Sequence, residues 1–280
     1  MEHYVDCPWR EQSLYAFDSR NQILFGYYAF QDGNARYVRS NLELYGKSKL
    51  ISGIFPICAP CEMELCIPSF ALHYFVELKE YTQFSGDNTL ALELYPTLCK
   101  VLDFFLQNRK DGLMYTWEDA KYWNFYDWSP YMDGTIDGVI GAKETPVPDV
   151  MINILTVMAL DAMEYLCERT GQIYPYLGVK EELTANTRKA FFVEEDGLFT
   201  MKRGERIYTQ LANSIAILNG FTTQDEAKKI CEKLCTDALC ASAMSMNVFK
   251  YDALLQTDTA RYKDYVLSDM RKDFKVMLDQ

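Results

Sequence analysis

The sequence has little positive charge and no long apolar run. Its 28 Lys and Arg residues are outnumbered by 40 Asp and Glu residues, which gives a formal net charge of −12. Because nucleic-acid phosphates are bound by clustered Lys and Arg, the lack of a basic stretch argues against a nucleic-acid partner. The longest apolar run is far short of the ~20 residues that span a bilayer, and no charged-then-apolar signal region follows Met1. We therefore expect no membrane partner either.

The motifs of several enzyme classes and of a metal site are also missing. The sequence contains no Gly-x-Ser-x-Gly, Walker or Rossmann motif, so it offers no recognisable residues for acyl, phosphoryl or hydride transfer. The nine cysteines are expected to be reduced thiols of a cytoplasmic protein. Zinc sites normally need four ligands at recognisable spacing, and neither cysteine group has a histidine nearby. We therefore expect no metal and no cofactor. The cysteines of the two groups are Cys58, Cys61, Cys66, Cys231, Cys235 and Cys240.

What the sequence does contain is helical periodicity over most of its 280 residues. The first pattern follows Pro8, which can occupy a first helical turn, and continues until Asp32-Gly33-Asn34. Only Leu113–Trp117 and Leu198–Met201 look extended. Successive helices on short turns indicate αα-hairpins, so we predict one all-α domain over 1–280. The other nine predicted helices are 35–45, 69–84, 89–108, 149–170, 179–192, 208–218, 223–239, 248–256 and 259–278.

The densest chemistry lies between Asp6 and Asp18. If the first helix begins near Pro8, Glu11 and Asp18 are two turns apart and share a face, with Tyr15 between them. Neighbouring carboxylates raise each other's pKa, and a carboxyl kept protonated can serve as a general acid. The alternative is structural: Asp6 caps the helix, and the other acids pair with arginines or face solvent.

The motif Asp-Cys-Pro-x-Arg-Glu at residues 6 to 11, with Asp18 seven further on, resembles the signature of the bacterial α-L-rhamnosidases, glycoside hydrolase family 78. The resemblance implies an (α/α)6 barrel and an inverting reaction in which Glu11 is the general acid. It also implies that Asp6, Arg10 and Asp18 bind sugar hydroxyls. Where many members have Trp-x-Gly before the last Asp, this chain has Tyr15-Ala16-Phe17, and Tyr15 could stack on the sugar.

A second motif lies in the long gap between predicted helices, from Lys110 to Pro148. The stretch Tyr122–Pro130 resembles the family's Asp-Trp loop at the barrel mouth. Sugars present apolar faces ringed by hydroxyls, so their sites combine flat aromatics with a few fixed polar groups. We predict sugar contacts from Trp123, Asp127 and Trp128; the alternative is a loop folded over its own aromatic core.

The resemblance also implies that the chain is only part of a family member. In the family, the general-base Glu lies in a Gly- and Trp-containing stretch after a late helix, which here matches Phe274–Gln280. We therefore expect the base to lie beyond the chain, and the ten predicted helices to form an incomplete barrel.

Two rival functions stay open at this point. One is another (α/α)6 hydrolase, such as an unsaturated glucuronyl hydrolase, which would want Arg or Lys near the aromatic loop, where only Lys121 and Lys143 are close. The other is a catalytically silent carbohydrate-binding remnant. For each we expect a carbohydrate ligand, here a rhamnoside-containing glycan or glycoside, and a homo-oligomer is compatible with the sequence.

Overall fold

The computed structural model describes residues 3–30 and 34–279, apart from the side chains of residues 276 and 278, and is helical over most of that length. Asp32 and Gly33, where the first helical pattern was predicted to stop, lie outside the described residues. Two short antiparallel hairpins interrupt the helices: β1 (Arg109–Lys110) with β2 (Leu113–Met114), and β3 (Phe192–Val193) with β4 (Leu198–Phe199). The first eight helices are α1 Ala16–Ala29, α2 Asn34–Gly46, α3 Pro68–Ser85, α4 Thr89–Gln107, α5 Val150–Thr170, α6 Val179–Phe191, α7 Gln210–Leu218 and α8 Gln224–Leu234.

The last helical segment, Asn247–Leu278, is broken at Asp258, whose φ is −159° and ψ is 92°. Lys250 Nζ lies 2.6 Å from Asp269 Oδ2. On a straight helix, 19 residues would separate these groups by about 28 Å. The segment therefore folds back on itself as two helices, α9 (247–257) and α10 (259–278), as the sequence predicted.

The odd-numbered helices form the inner wall of the fold. Contacts run from α1 to α3, from α3 to α5, from α5 to α7 and from α7 to the segment Asn247–Leu278, and each of the first four inner helices also contacts the helix that follows it. The two ends of this series meet where Phe17 of α1 lies against Phe249 of α9, with ring centroids 6.1 Å apart. The prediction of an all-α barrel of helical hairpins is confirmed, and the described residues hold five hairpins. Whether 1–280 is a single domain stays a prediction.

The core helix α5 is both long and strongly apolar. By length and composition it could cross a membrane, but 83% of its apolar window is buried inside the fold, as expected for the central helix of a packed core. Its N-cap is Asp149, whose carboxylate accepts a hydrogen bond from the Ile152 N–H. At its other end, Gly171 adopts φ 69°, a left-handed conformation that glycine takes without a Cβ penalty.

Two buried asparagines join the inner helices to the hairpins before them. Asn153 Oδ1 accepts the Met114 N–H at 2.8 Å, and its Nδ2 donates to the carbonyls of Met114 and Asp149. Asn213, in the same position of α7, makes the corresponding bonds to Phe199. Both asparagines are fully buried. Each asparagine therefore satisfies backbone groups of β2 or β4 that face the helix and not the partner strand of the hairpin.

The first helix begins later than predicted. It starts at Ala16 rather than near Pro8, and its N-cap Tyr15 is extended. Asp6 pairs with Ser13 through its backbone N–H, and Gln12 adopts a positive φ of 55°. Residues 6–13 therefore form a closed loop, which we call the carboxylate loop, so Glu11 and Asp18 do not share a helix face.

Candidate functional site

Asp6 closes the carboxylate loop with its side chain as well as its backbone. Its Oδ1 accepts the Ser13 N–H at 2.8 Å. Burial tends to raise the pKa of Asp6, but hydrogen bonds from Cys7 and Ser13 outweigh burial and lower that pKa below its ordinary value. Asp6 therefore caps a loop, where the structural alternative had it capping a helix. Because it is held ionised, it is suited to accept hydrogen bonds from a ligand.

The Glu11 carboxylate contacts two neighbouring side chains, one through each oxygen. Tyr15 Oη donates a hydrogen bond of 2.9 Å to Glu11 Oε2, and Arg10 Nη2 lies 2.6 Å from Glu11 Oε1. The Glu11 side chain is 34% exposed, whereas that of Arg10 is 80% exposed. The position of the Glu11 carboxylate is therefore set mainly by Tyr15, which is partly buried, since an exposed ion pair contributes little. Tyr15, predicted as a stacking residue, holds Glu11 in place through its hydroxyl.

Asp18 lies in the first turn of α1, beneath the carboxylate loop. Burial, together with smaller contributions from the nearby charges of Asp6 and Glu11, raises its pKa to about 6. Mutual repulsion among carboxylates was predicted from the sequence, and in the structure its clearest effect falls on Asp18. Near neutral pH, this carboxyl can therefore carry a proton that Asp6 cannot.

The aromatic segment supplies the opposite wall. Trp123 is buried, and its Nε1–H donates to the Asp133 carbonyl at 2.7 Å. Trp128 packs edge-on against Trp123 and Phe125, with ring centroids 5.5 and 4.9 Å apart, yet it remains 64% exposed. A fixed indole that keeps an open face is the kind of surface on which a sugar ring stacks.

These groups surround one cavity of about 400 Å³, within the usual range for small-molecule sites. All but one of the sequence-predicted site residues line it, so the two motifs, more than a hundred residues apart, meet at one place. The cavity is lined by Asp6, Arg10, Glu11, Tyr15, Asp18, Ile57, Met63, Leu65, Ile67, Phe70, Trp123, Phe125, Trp128 and Ile140.

Asp127 is the exception, because it does not line the cavity. The residue is fully buried. Its Oδ1 accepts the Trp128 N–H at 2.8 Å, and its Oδ2 accepts the Ala243 N–H at 2.8 Å. Both oxygens are thus occupied by backbone donors. Asp127 anchors the aromatic loop to the segment before α9 and thereby holds Trp128 at the cavity.

One wall of the cavity was missed by the sequence reasoning. Residues 57–67 run between α2 and α3 and contribute aliphatic side chains to the lining, including Ile57, Met63 and Leu65. The Ala59 N–H donates to the Leu14 carbonyl at 3.0 Å, which fixes this segment against the end of the carboxylate loop. Its irregular Pro- and Cys-containing sequence carries no periodicity, so no local signal could have revealed the wall.

A larger cavity, of about 600 Å³, lies between α5, α6 and the end of α7. Its cations are already paired: Lys180 with Asp161 and Glu164, and Arg188 with Glu226. It also lacks the cluster of tryptophans found at the carboxylate loop. The smaller cavity is therefore the better candidate for a ligand site.

No metal centre is evident in the part of the chain that the structure describes. Within residues 3–30 and 34–279, no three His, Cys, Asp or Glu side chains are grouped so that they could hold a metal ion. All nine cysteines are free thiols. Cys66, the third cysteine of the first group, is fully buried.

The raised pKa of Asp18 predicts a pH effect on stability. Because the pKa in the folded state exceeds the unfolded value of ~3.9, the unfolded state ionises first as the pH rises. The stabilisation is complete below pH ~4 and falls by up to about 3 kcal/mol as the pH rises through 6. Asp18→Asn cannot ionise. We compare the free energy of unfolding of Asp18→Asn with that of the wild type in urea titrations. The difference, variant minus wild type, should be about 3 kcal/mol larger at pH 8 than at pH 4.

The exposed Asp237 provides the control, since Asp237→Asn should follow the wild-type pH dependence. If the difference between wild type and Asp18→Asn stays constant from pH 4 to pH 8, Asp18 has no raised pKa.

Comparison with known proteins places this arrangement in a family. The sequence profile of the bacterial α-L-rhamnosidase six-hairpin glycosidase domain matches residues 1–248. No curated protein matches the sequence.

Several solved structures share the fold. The family 78 rhamnosidase of Bacillus sp. GL1 superposes with a TM-score of 0.84 at 22% identity, over 99% of this chain and 28% of that one. A rhamnosidase from Klebsiella oxytoca with rhamnose bound gives a TM-score of 0.79 at 19% identity, over 98% and 51%. The α-L-rhamnosidase of Streptomyces avermitilis, complexed with L-rhamnose, gives 0.65 at 14% identity, over 91% and 23%.

At these identities the structures establish the fold alone, and the chain spans between about a quarter and about half of their length. The profile match covers most of the chain, including both the carboxylate loop and the aromatic segment. The chain belongs to the bacterial α-L-rhamnosidase six-hairpin glycosidase domain family.

Proposed function

We propose that the cavity binds a terminal α-L-rhamnosyl group and that the protein is a glycoside hydrolase that cleaves α-L-rhamnosides with inversion. The observation that carries this proposal is the meeting of Asp6, Arg10, Glu11 and Asp18 with two tryptophans around one cavity. Carboxylates bind hydroxyls, and aromatic and aliphatic groups bind the apolar face of the sugar. A 6-deoxy sugar, with a methyl group in place of one hydroxyl, suits the aliphatic wall.

In this proposal Glu11 protonates the glycosidic oxygen as it leaves. The hydrogen bond from Tyr15 fixes the orientation of its carboxyl group. Asp6 is held ionised by backbone and thiol donors and accepts hydrogen bonds from sugar hydroxyls. Asp18 titrates near pH 6, so it can either donate to or accept from a hydroxyl. Arg10 is the remaining polar contact.

An inverting reaction also needs a carboxylate base, placed across the sugar with room for a water molecule. The other carboxylates among the described lining residues, Asp6 and Asp18, come from the same segment as Glu11. We propose, following the family resemblance, that the base is supplied by sequence following the late helix α10. Hydrolysis then depends on that sequence, whereas sugar binding depends on the cavity itself.

The rival hydrolase of uronic acids finds less support. Recognition of a uronate carboxylate wants an excess of positive charge, whereas the described lining residues hold one cation, Arg10, beside three carboxylates. Lys121 lies outside the lining and contacts Ser52. The remaining rival, a silent carbohydrate-binding protein, differs from the proposal only in turnover.

Two measurements test the proposal. Calorimetry with L-rhamnose should show binding that D-glucuronate does not reproduce. Incubation with an aryl α-L-rhamnoside should release the aglycone from the form of the protein that contains the base. Binding without turnover in every natural form would support the silent binder, and the absence of binding would contradict both readings.

Trp128 offers a separate prediction, because it is exposed yet lines the cavity. Trp128→Ala removes a stacking surface, so we expect L-rhamnose affinity to fall roughly tenfold, equivalent to about 1.4 kcal/mol, in calorimetry. The melting temperature should change little, since most of the side chain is already in water. Trp9→Ala is the control: Trp9 is 92% exposed and does not line the cavity, so its loss should leave affinity unchanged.

The cellular setting is also a proposal. Nine free thiols suit a reducing cytoplasm, and cleavage of rhamnosides would place the protein in carbohydrate metabolism. Fractionation of the producing cells would test the location.

A further inference from the structure

The wall of the cavity that the sequence reasoning missed contains a pair of neighbouring thiols. Cys58 and Cys61 are three residues apart, and their thiols are close enough that Cys61 contributes to the raised pKa of Cys58. Both residues are partly exposed, unlike Cys66, which is fully buried. The spacing Cys-x-x-Cys is one at which two thiols can be oxidised to a disulfide without rearranging the rest of the chain.

This thiol pair is connected to both sides of the candidate site. Ala59, one of the two residues between the thiols, donates its N–H to the Leu14 carbonyl at 3.0 Å. The Ser13 side chain is near enough to the Cys58 thiol to lower the pKa of that thiol, against the larger opposing effect of burial. Ser13 is the residue that pairs with Asp6 to close the carboxylate loop.

The second connection leads to the cavity wall. The Met63 N–H donates to Cys61 Sγ at 3.3 Å, and the Met63 side chain lines the cavity. A disulfide would pull Cys61 Sγ toward Cys58 and so disturb the hydrogen bond that this sulfur accepts from the Met63 N–H. The Met63 backbone and its side chain would then have to move.

We propose that Cys58 and Cys61 form a reversible disulfide that reshapes the Met63 wall of the cavity. The consequence for ligand binding rests on the proposed function; the disulfide itself does not. The pair would make the cavity responsive to the thiol–disulfide balance of its surroundings.

The oxidant is a low-molecular-weight disulfide, and each step is balanced. The Cys61 thiolate attacks one sulfur of that disulfide, forms a mixed disulfide and releases one small thiolate. Cys58 then loses its proton to solvent and attacks Cys61 Sγ, which releases the second small thiolate. Two protein thiols are oxidised and one small disulfide is reduced to two thiols. Burial, with a smaller contribution from Cys61, raises the pKa of Cys58 to about 12, so Cys58 is assigned the second step and not the first attack.

The disulfide is tested by mass spectrometry after incubation of the whole chain with oxidised glutathione. We expect the intact mass to fall by two hydrogens, with peptide mapping that joins Cys58 to Cys61 and reversal by dithiothreitol. Cys58→Ser and Cys61→Ser should abolish the bond and instead leave at most a glutathione adduct. Cys240→Ser, which removes a half-buried thiol elsewhere, should not affect it. Persistent free thiols, or a disulfide mapped to another pair, would overturn the proposal.

The change in the wall is tested by hydrogen exchange. The Met63 amide should exchange faster in the oxidised protein than in the reduced protein, and unchanged exchange would overturn the reshaping. L-rhamnose affinity should fall about tenfold on oxidation and recover on reduction. If the reduced protein binds no rhamnose, the proposed function fails, while mass and exchange data still decide the disulfide and the movement of the wall.

Discussion

Replacing Glu11 with glutamine is expected to lower the rate of aryl α-L-rhamnoside hydrolysis by about 100- to 10,000-fold, the usual contribution of a general acid. Glutamine has nearly the same shape and can still accept the Tyr15 hydroxyl hydrogen bond, but it cannot donate a proton to the leaving oxygen. The rate is measured on the form of the protein that cleaves the substrate, with an aglycone that needs protonation to leave.

Three comparisons isolate the chemical role of Glu11. L-rhamnose affinity should change far less than the rate, because the amide keeps the polar contacts of the carboxylate. Glu168→Gln, an exposed substitution on α5, should retain full activity. An aglycone with a low pKa leaves without help, so it should restore much of the lost rate. Robust activity of Glu11→Gln on a poor leaving group would remove Glu11 from the role of acid.

The second large effect concerns the fold. Asn153→Ala is expected to lower the free energy of unfolding by about 4 kcal/mol, because it removes three hydrogen bonds and leaves buried backbone groups of Met114 unsatisfied. The urea midpoint should fall without a change in slope. Asn213→Ala should cost a similar amount, since it breaks the corresponding bonds to Phe199.

Asn186→Ala serves as the matched control for the substitutions of Asn153 and Asn213. Asn186 also contacts the first hairpin, but through a single bond of 3.2 Å from its Nδ2 to the Gly112 carbonyl. Its loss should therefore cost about 1 kcal/mol, typical of one partly exposed hydrogen bond. An equal loss of unfolding free energy in Asn153→Ala and Asn186→Ala would contradict the proposed role of Asn153 in joining α5 to the first hairpin.

The sequence was sufficient for the helical architecture because that architecture follows from local patterns. The break between α9 and α10 was predicted from periodicity alone and is confirmed at Asp258. The start of α1 was misplaced for a non-local reason. Pro8 is acceptable in a first helical turn, but the closure of residues 6–13 by Asp6 and Ser13 competes with that helix and prevails.

In the candidate site, too, the features set by local sequence could be predicted and those set by long-range contacts could not. Residues that carry a motif, such as Glu11 and Trp128, were found because their types match sugar chemistry, and the structure brings them together. The contact of Asp127 with Ala243 could not be predicted, because the two residues are 116 apart in sequence. An Asp before a Trp can face a ligand or hold the loop, and only the tertiary contact distinguishes the two roles.

The apolar wall around Met63 illustrates the remaining gap. Its residues have no periodicity and no recognisable spacing beyond the cysteine pair. Their place at the cavity depends on the pairing of Ala59 with Leu14, which sequence patterns do not encode. The Cys58–Cys61 pair was therefore judged as a zinc motif or as buried thiols, and its position beside the site emerged only from the fold.

The most direct test of the account is a crystal structure of this chain soaked with L-rhamnose. The account predicts one sugar in the cavity between the carboxylate loop and Trp128, with its hydroxyls on Asp6 and Asp18 and its ring against the indole. Rhamnose bound instead in the larger cavity beside Lys180 and Arg188, or an empty carboxylate cavity at saturating sugar, would contradict it.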